Sequence, residues 1–179
     1  GLPMPRRLGI TPSTAALRTE AAAEDRARVE AALAELSSEC DFVVIDTPGA
    51  VTALSEAAHE SADTLITPIN DSMIDFDLLG RVDPETGKVK GPSIYSEMVW
   101  SARQRRAARG RKPVDWVVLR NRMAMLDSRN RHRVGKVMED LARRIGFRIV
   151  PGFSERVIFR ELFLHGLTLL DLDPDGPIA

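Results

Sequence analysis

The fold is decided by residues 42–49, which have the sequence Phe42-Val43-Val44-Ile45-Asp46-Thr47-Pro48-Gly49. Four apolar residues that end in an aspartate are typical of a buried strand in a parallel sheet, and ligands of such sheets bind beyond the carboxyl ends of the strands. A carboxylate at that place, such as Asp46, suits Mg²⁺ in a phosphoryl-transfer site. Gly49 would let a backbone N–H approach a terminal phosphate. The same residues are also open to a simpler interpretation, a buried strand followed by a turn that begins at the aspartate.

Outward from this stretch, short apolar runs alternate with helical patterns. Strands are predicted over 42–45, 64–67, 116–119 and 147–150. Helices are predicted over about 22–38 (or from 13), 50–61, 71–79, 95–109, 129–145 and 161–166, with turns over 81–92 and an acidic, loop-like tail. This alternation predicts an α/β fold in which a parallel β-sheet is flanked by helices on both faces. We expect residues 1–179 to form a single domain, because no linker divides them.

The composition excludes several classes of protein. The chain has 179 residues, of which 44% are hydrophobic and 28% charged, which is typical of a globular domain rather than a disordered one. No apolar run is long enough to span a membrane. The single cysteine, Cys40, excludes an intrachain disulfide and agrees with a reducing cytoplasm. His59, His132 and His165 lack metal-ligand spacing, so packing or surface roles are expected.

The net charge of −1 hides a strongly basic second half. Residues 101–165 contain 17 Lys and Arg against 6 Asp and Glu. Basic runs occupy 103–112 and 129–144, and two more arginines follow the last predicted strand. Together the runs favour sequence-independent contact with a nucleic-acid phosphate backbone, although each alone also fits a solvated helix face. The residues proposed for this contact are Arg129, Arg133, Lys136, Arg156 and Arg160.

Polar residues also follow two other predicted strands, at Asn70-Asp71 and at Asn121. Asp71, Asp75 and Asp77 are candidate metal ligands, but helix capping and loop packing are the favoured interpretation. Asn121 is likewise open to a role as a helix or turn cap.

Several segments resemble the ParA/MinD family of P-loop ATPases. The run Cys40–Gly49 resembles the family's Walker B and switch II segment. Four others resemble its MipZ-like branch, which positions the division plane. These are residues 67–77 (Thr-Pro-Ile-Asn-Asp-Ser-Met-Ile-Asp-Phe-Asp), 82–86 (Val-Asp-Pro-Glu-Thr), 115–122 (Asp-Trp-Val-Val-Leu-Arg-Asn-Arg) and 156–163 (Arg-Val-Ile-Phe-Arg-Glu-Leu-Phe). The resemblance extends from about residue 30 to residue 172.

This resemblance implies a P-loop NTPase-like fold that uses ATP and Mg²⁺. Asp46 would be the catalytic carboxylate that organises Mg²⁺ through water, with Thr47 beside the nucleotide and Gly49 near the γ-phosphate. Asn121 would recognise adenine. Pro151, Gly152 and Phe153 would lie against the base.

The resemblance also implies partners. Proteins of this branch dimerise when they bind ATP, and the dimers bind DNA nonspecifically. They interact with a ParB-like centromere-binding protein and regulate assembly of FtsZ. A cytoplasmic protein at the nucleoid or the cell pole is expected, without membrane binding.

One departure from the family limits these expectations. The sequence contains no Gly-x-x-x-x-Gly-Lys-[Ser/Thr] pattern, which provides most of the phosphate contacts in P-loop enzymes. In the family this loop, with the first strand, the P-loop helix and the second strand, precedes the matched segments. We therefore expect the chain to correspond to the later part of the ATPase domain, and we do not expect it to hydrolyse ATP by itself.

Two other functions remain open from the sequence. A GTPase also carries Asp-x-x-Gly, but its guanine-recognition motif Asn-Lys-x-Asp is replaced here by Asn121-Arg122-Met123-Ala124. A non-catalytic adaptor would bind DNA or a protein through the basic half.

Overall fold

A computed structural model describes residues 5–70, 73–83, 86, 88–123 and 129–172, and only the backbone of residues 73, 74 and 129–134. The helices are α1 (Arg18–Ser37), α2 (Ala53–Ser61), α3 (Met73–Phe76), α4 (Ile94–Ala108), α5 (Arg129–Ile145) and α6 (Val157–Leu164), followed by a 3₁₀ turn over Leu169–Asp171. The strands are β1 (Thr64–Asn70), β2 (Gly80–Val82), β3 (Val89–Pro92), β4 (Asp115–Asn121) and β5 (Arg148–Val150).

The predicted α/β fold with a parallel sheet is confirmed. Within the described ranges the sheet has the order β1-β4-β5, and β4 pairs with β5 in parallel, with Val118 opposite Ile149. Trp116 in β4 is buried, its indole Nε1 donates a hydrogen bond of 3.0 Å to Thr67 Oγ1, and its ring lies 5.2 Å from that of Phe147. Trp116 in the central strand therefore has both apolar packing and a partner for its one polar side-chain atom.

The described chain divides into two compact units. Residues up to Leu65 together with Ile94–Asp115 form the first, here called the helical unit. Ile66–Ser93 together with the chain from Trp116 onward form the second, here called the strand unit. The expectation of one domain over residues 1–179 stays a prediction.

A buried carboxylate joins α1, α2 and α4 in the helical unit. The side chain of Glu60 on α2 is 2% exposed and lies 2.6 Å from Arg26 on α1, 2.9 Å from Arg105 on α4 and 3.0 Å from Arg109, which follows α4. Burial raises the pKa of Glu60, but the hydrogen bond from Arg26 and the charges of Arg26, Arg109 and Arg105 outweigh it, so the pKa lies below its ordinary value. The carboxylate is thus ionised at neutral pH and attracts all three guanidinium groups.

Part of the basic run over 103–112 is therefore used inside the helical unit. Besides the ion pairs with Glu60, buried Arg106 donates hydrogen bonds of 3.0 Å to the carbonyl of Ser61 and 2.9 Å to Asp63 Oδ1. These contacts hold the end of α2 against α4.

The predicted buried strand over 42–45 is wrong. Residues 42–48 have no regular secondary structure, and the side chains of Phe42 and Val44 are 89% and 91% exposed. Among the described residues, no backbone hydrogen bond joins 42–46 to another segment. An apolar run becomes a buried strand only where another strand lies beside it, and the described chain provides none at this place.

The region predicted as turns over 81–92 contains a hairpin instead. β2 and β3 pair antiparallel, with Gly80 opposite Pro92 and Arg81 opposite Gly91. A Cβ on Gly80 would lie 2.6 Å from Cδ2 of buried Leu141, so the missing side chain lets α5 pack against the hairpin. Short strands that contain glycine, lysine and proline lack the alternating pattern by which strands are recognised.

The buried His59 makes the stability of the helical unit depend on pH. Burial lowers its pKa, although the Ser55 carbonyl, 2.6 Å from Nδ1, raises it in part. Since the folded protein disfavours the charged ring, we expect the free energy of unfolding to fall as the pH drops below about 6.5, where the unfolded chain begins to bind the proton. Urea unfolding between about pH 5 and pH 8 measures this fall, and His59→Phe should flatten it. His165→Gln, which removes an exposed histidine, is the control; an unchanged slope in His59→Phe would contradict the assignment.

Candidate functional site

The loops that follow β4 and β5 are hydrogen-bonded to each other. The N–H of Phe153 donates to the carbonyl of Arg120 at 2.9 Å, and the N–H of Met123 donates to the carbonyl of Phe153 at 3.0 Å. Met123 and Ser154 form a parallel bridge beyond the end of the sheet. Asn121, half-buried at the end of β4, therefore lies in a segment whose backbone is held against the residues that follow β5.

Gly152 makes this close approach possible. A Cβ at this position would lie 1.6 Å from the carbonyl oxygen of Arg120, which no side chain can tolerate. Phe153, next to it, is about half exposed and packs edge-to-face on Phe159, with ring centroids 6.1 Å apart. Asn121, Gly152 and Phe153, which the resemblance assigns to the adenine site, thus come from two adjoining segments of the strand unit.

Two features of this site are not evident from the sequence. The carbonyl of Arg120 is the acceptor that positions Phe153. Every residue has a backbone carbonyl, so the sequence does not indicate which one has this role. Arg122 adopts a left-handed conformation, with φ of 50°, in the bend directly after β4. Non-glycine residues rarely adopt this conformation.

The other predicted residues, Asp46, Thr47 and Gly49, belong to a loop of the helical unit. Asp46 is exposed, Thr47 is half-buried, and a Cβ on Gly49 would meet nothing within 4 Å. The loop leads into α2, which starts after Thr52: Thr52 Oγ1 accepts from the N–H of Ser55 at 3.1 Å, and Ser55 Oγ accepts from the N–H of Thr52 at 2.8 Å. Because this capping box is formed at Thr52, α2 begins at Ala53 and not at residue 50 as predicted.

The carboxylates of Asp75 and Asp77 accept hydrogen bonds from backbone N–H groups, which agrees with the favoured interpretation of loop packing. Asp75 Oδ2 accepts from the N–H of Asn70 at 2.9 Å, and Asp77 Oδ1 accepts from the N–H of Val82 at 3.4 Å. Asp71 lies outside the described residues. Within the described ranges, no group of three His, Cys, Asp or Glu side chains could hold a metal ion.

The five basic residues proposed for DNA contact all lie in the strand unit. Lys136 is exposed on α5, and Arg156 and Arg160 are exposed at the start of α6 and within it. Arg160 lies 4.0 Å from Glu155, a loose contact between two exposed groups. Arg129 and Arg133 also belong to α5, and the structure describes only their backbone.

Comparison with protein-family models matches residues 1–178 to the family described as ATPase MipZ. The chain belongs to the MipZ ATPase family. The match covers nearly the whole chain and confirms the resemblance drawn from the separate segments, so this is a division-related ATPase family member. No curated protein sequence gives a match.

Membership in the MipZ family implies use of a nucleotide. It does not test the roles of single residues, so those assigned to Asp46, Asn121 and the basic residues stay predictions. In the part of the chain that is described, no helix is long and apolar enough to cross a membrane.

From the contact between the two loops, we predict how a single methyl group added at Gly152 changes stability. Gly152→Ala should destabilise the protein by about 1–3 kcal/mol, because the loop must move away from Arg120 to admit the Cβ. The amide of Phe153 should then exchange faster with solvent, which hydrogen-exchange measurement detects. Gly9→Ala is the matched control, since a Cβ there meets nothing within 4 Å. Equal effects of the two variants would contradict the tight fit described for Gly152.

Proposed function

We propose that this chain belongs to an ATP-dependent switch protein that positions the division plane, with Asn121, Gly152 and Phe153 as adenine-recognition residues and Asp46 as a magnesium-organising carboxylate. The observation that supports it most is the adjacency of Asn121, Gly152 and Phe153 in a protein of the MipZ ATPase family.

The chemistry of the adenine side follows from the groups present. The amide of Asn121 both donates and accepts, which matches N6 and N7 of adenine, whereas guanine offers two acceptors, O6 and N7. The half-exposed ring of Phe153 offers an apolar surface on which a base can stack. No described feature favours the GTPase alternative.

The magnesium side requires an accessible oxygen ligand, and the exposed carboxylate of Asp46 fits. ATP with Mg²⁺ would supply a phosphoryl group for transfer to water. This chain's own contribution would be to orient the metal through Asp46 and to leave space at Gly49 for phosphate oxygens. Because the sequence lacks the P-loop pattern, the main amide cradle for the phosphates is not among these residues.

Dimerisation with ATP and nonspecific DNA binding are proposed as parts of the same switch. Lys136, Arg156 and Arg160 are exposed cations that the fold does not use internally as it uses the arginines around Glu60. A second copy would double the number of cations that face the phosphates, so ATP-dependent dimerisation would strengthen DNA binding without new residues. A ParB-like protein and FtsZ are the proposed protein partners, and an adaptor without catalysis is the second candidate function.

The nucleotide proposal predicts how the isolated chain responds to adenosine and ATP. We expect both to bind weakly and with similar affinity, because the base is recognised while the phosphates lack their cradle. Asn121→Ala should lower the affinity for adenosine by about tenfold and remove the preference for adenosine over guanosine, since a good bidentate pair contributes about 1–3 kcal/mol. Ligand-observed NMR titration measures both.

Asp46→Ala is the matched control for that experiment and should leave adenosine binding unchanged. When the chain is joined to a segment that supplies a P-loop, Asp46→Ala should abolish Mg²⁺-dependent ATP hydrolysis. Strong hydrolysis by the 179-residue chain alone would contradict this division of roles.

The DNA proposal predicts a change in salt dependence. At low salt the chain should bind two unrelated duplexes with equal affinity. Changing Lys136 and Arg156 to Glu should flatten the log–log salt slope by about two units, because each of the two cations neutralises one phosphate. Fluorescence anisotropy across a salt series measures the slope.

The control carries the same change in charge at another place. Arg111→Glu with Lys112→Glu alters two exposed cations that follow α4 and should leave the slope nearly unchanged. If both double variants flatten the slope equally, net charge rather than this surface governs binding.

A further inference from the structure

Phe153 combines a fixed backbone with an exposed ring. Its N–H donates to the carbonyl of Arg120 at 2.9 Å, and its carbonyl accepts from the N–H of Met123 at 3.0 Å. The residue is nonetheless 53% exposed. A ring on a fixed backbone can still rotate among its side-chain rotamers unless another group selects one of them.

Phe159 on α6 is a group that contacts this ring. The ring centroids of Phe153 and Phe159 lie 6.1 Å apart, and their planes meet at 82°. This edge-to-face arrangement is one that aromatic pairs prefer. Phe159 is half-buried, whereas Phe153 is exposed, so Phe159 is the better fixed of the two side chains. The contact therefore favours one orientation of the Phe153 ring while it leaves much of that ring accessible.

The start of α6 fixes Phe159 relative to Phe153. Phe159 is the third residue of this helix. Just before the helix, the N–H of Glu155 donates to the carbonyl of Met123 at 3.1 Å, so the chain that enters α6 is attached to the same loop as Phe153. Farther along, Leu162 is buried and holds the helix against the strand unit. Both rings are thus positioned from the loop after β4.

We propose that Phe159 is a positioning residue for adenine, which acts through Phe153 and does not itself contact the base. The inference rests on the function proposed above, in which the base stacks on Phe153. A ring that already has its bound orientation avoids the entropy cost of being ordered when the base arrives. Phe159 would therefore raise the affinity for the base without adding a contact to it.

The test is a double-mutant cycle on the 179-residue chain, read as the dissociation constant for adenosine by ligand-observed NMR. Phe159→Leu removes the aromatic contact but keeps an apolar side chain, and it should lower the affinity about threefold to fivefold, as expected for a lost aromatic pair. Phe159→Tyr keeps the ring and should retain the affinity. In a chain that already carries Phe153→Leu, the change Phe159→Leu should have no further effect, because its action requires that ring. Losses that simply add, or no loss in Phe159→Leu, would overturn the proposal.

Phe163→Leu is the matched control on the same helix. Phe163 lies four residues after Phe159 and is 80% exposed, so the same substitution there should leave the affinity for adenosine unchanged. If Phe163→Leu and Phe159→Leu lower the affinity equally, the effect does not depend on the contact with Phe153 and the proposal is wrong.

A measurement without ligand separates failure of this proposal from failure of the adenine site. The Phe153 ring lies in the ring current of Phe159, so its NMR resonances should shift in Phe159→Leu, whereas the amide of Phe153 should keep its slow hydrogen exchange. Unshifted ring resonances, or a faster-exchanging amide, would overturn the positioning role even where adenosine binds. If the resonances shift as expected but the unaltered chain binds no adenosine, the contact is real, and the adenine site is wrong together with the role that Phe159 has in it.

Discussion

β4 is the strand on which the other elements of the sheet depend, because β1 and β5 both pair with it. A strand paired on both edges has its backbone polar groups satisfied, so it can be buried. Accordingly, Trp116, Val117 and Val118 are buried in β4. The end of this strand is also fixed, since the carbonyl of Arg120 accepts from the residue that follows Gly152. The position of Asn121 is therefore a consequence of strand pairing.

The sequence predicted well those elements whose side-chain pattern is strong and whose partners are present. The predicted helix over 129–145 coincides with α5, and the strand over 116–119 lies within β4. The pattern of 42–45 is just as apolar, yet it does not form a strand in the described chain. Apolar patterning reports a tendency to be covered; it contains no information about which other segment supplies the hydrogen bonds. The hairpin of β2 and β3 was missed for the opposite reason, because its pairing exists without the pattern.

The resemblance assigned residues to the candidate site, but it did not predict the contacts that hold them. Asn121 and residues 151–153 were assigned by resemblance, and the two segments do adjoin. The charge count of the second half gave a basic excess, but it did not distinguish Arg105 and Arg106, which stabilise the helical unit, from the exposed Lys136 and Arg156. That distinction depends on the burial of Glu60 on a different helix, and only tertiary structure shows it.

The hydrogen bonding around Asn121 in the strand unit differs from that around Asp46 in the helical unit. Asn121 ends a strand that has neighbours on both edges, and the loop after it is anchored by hydrogen bonds. Asp46 ends a segment whose backbone is unpaired among the described residues, so no strand ladder fixes its carboxylate. A magnesium-organising group is effective only when its position is fixed in advance. With the roles proposed above, the described residues are therefore better arranged for adenine recognition than for organising magnesium.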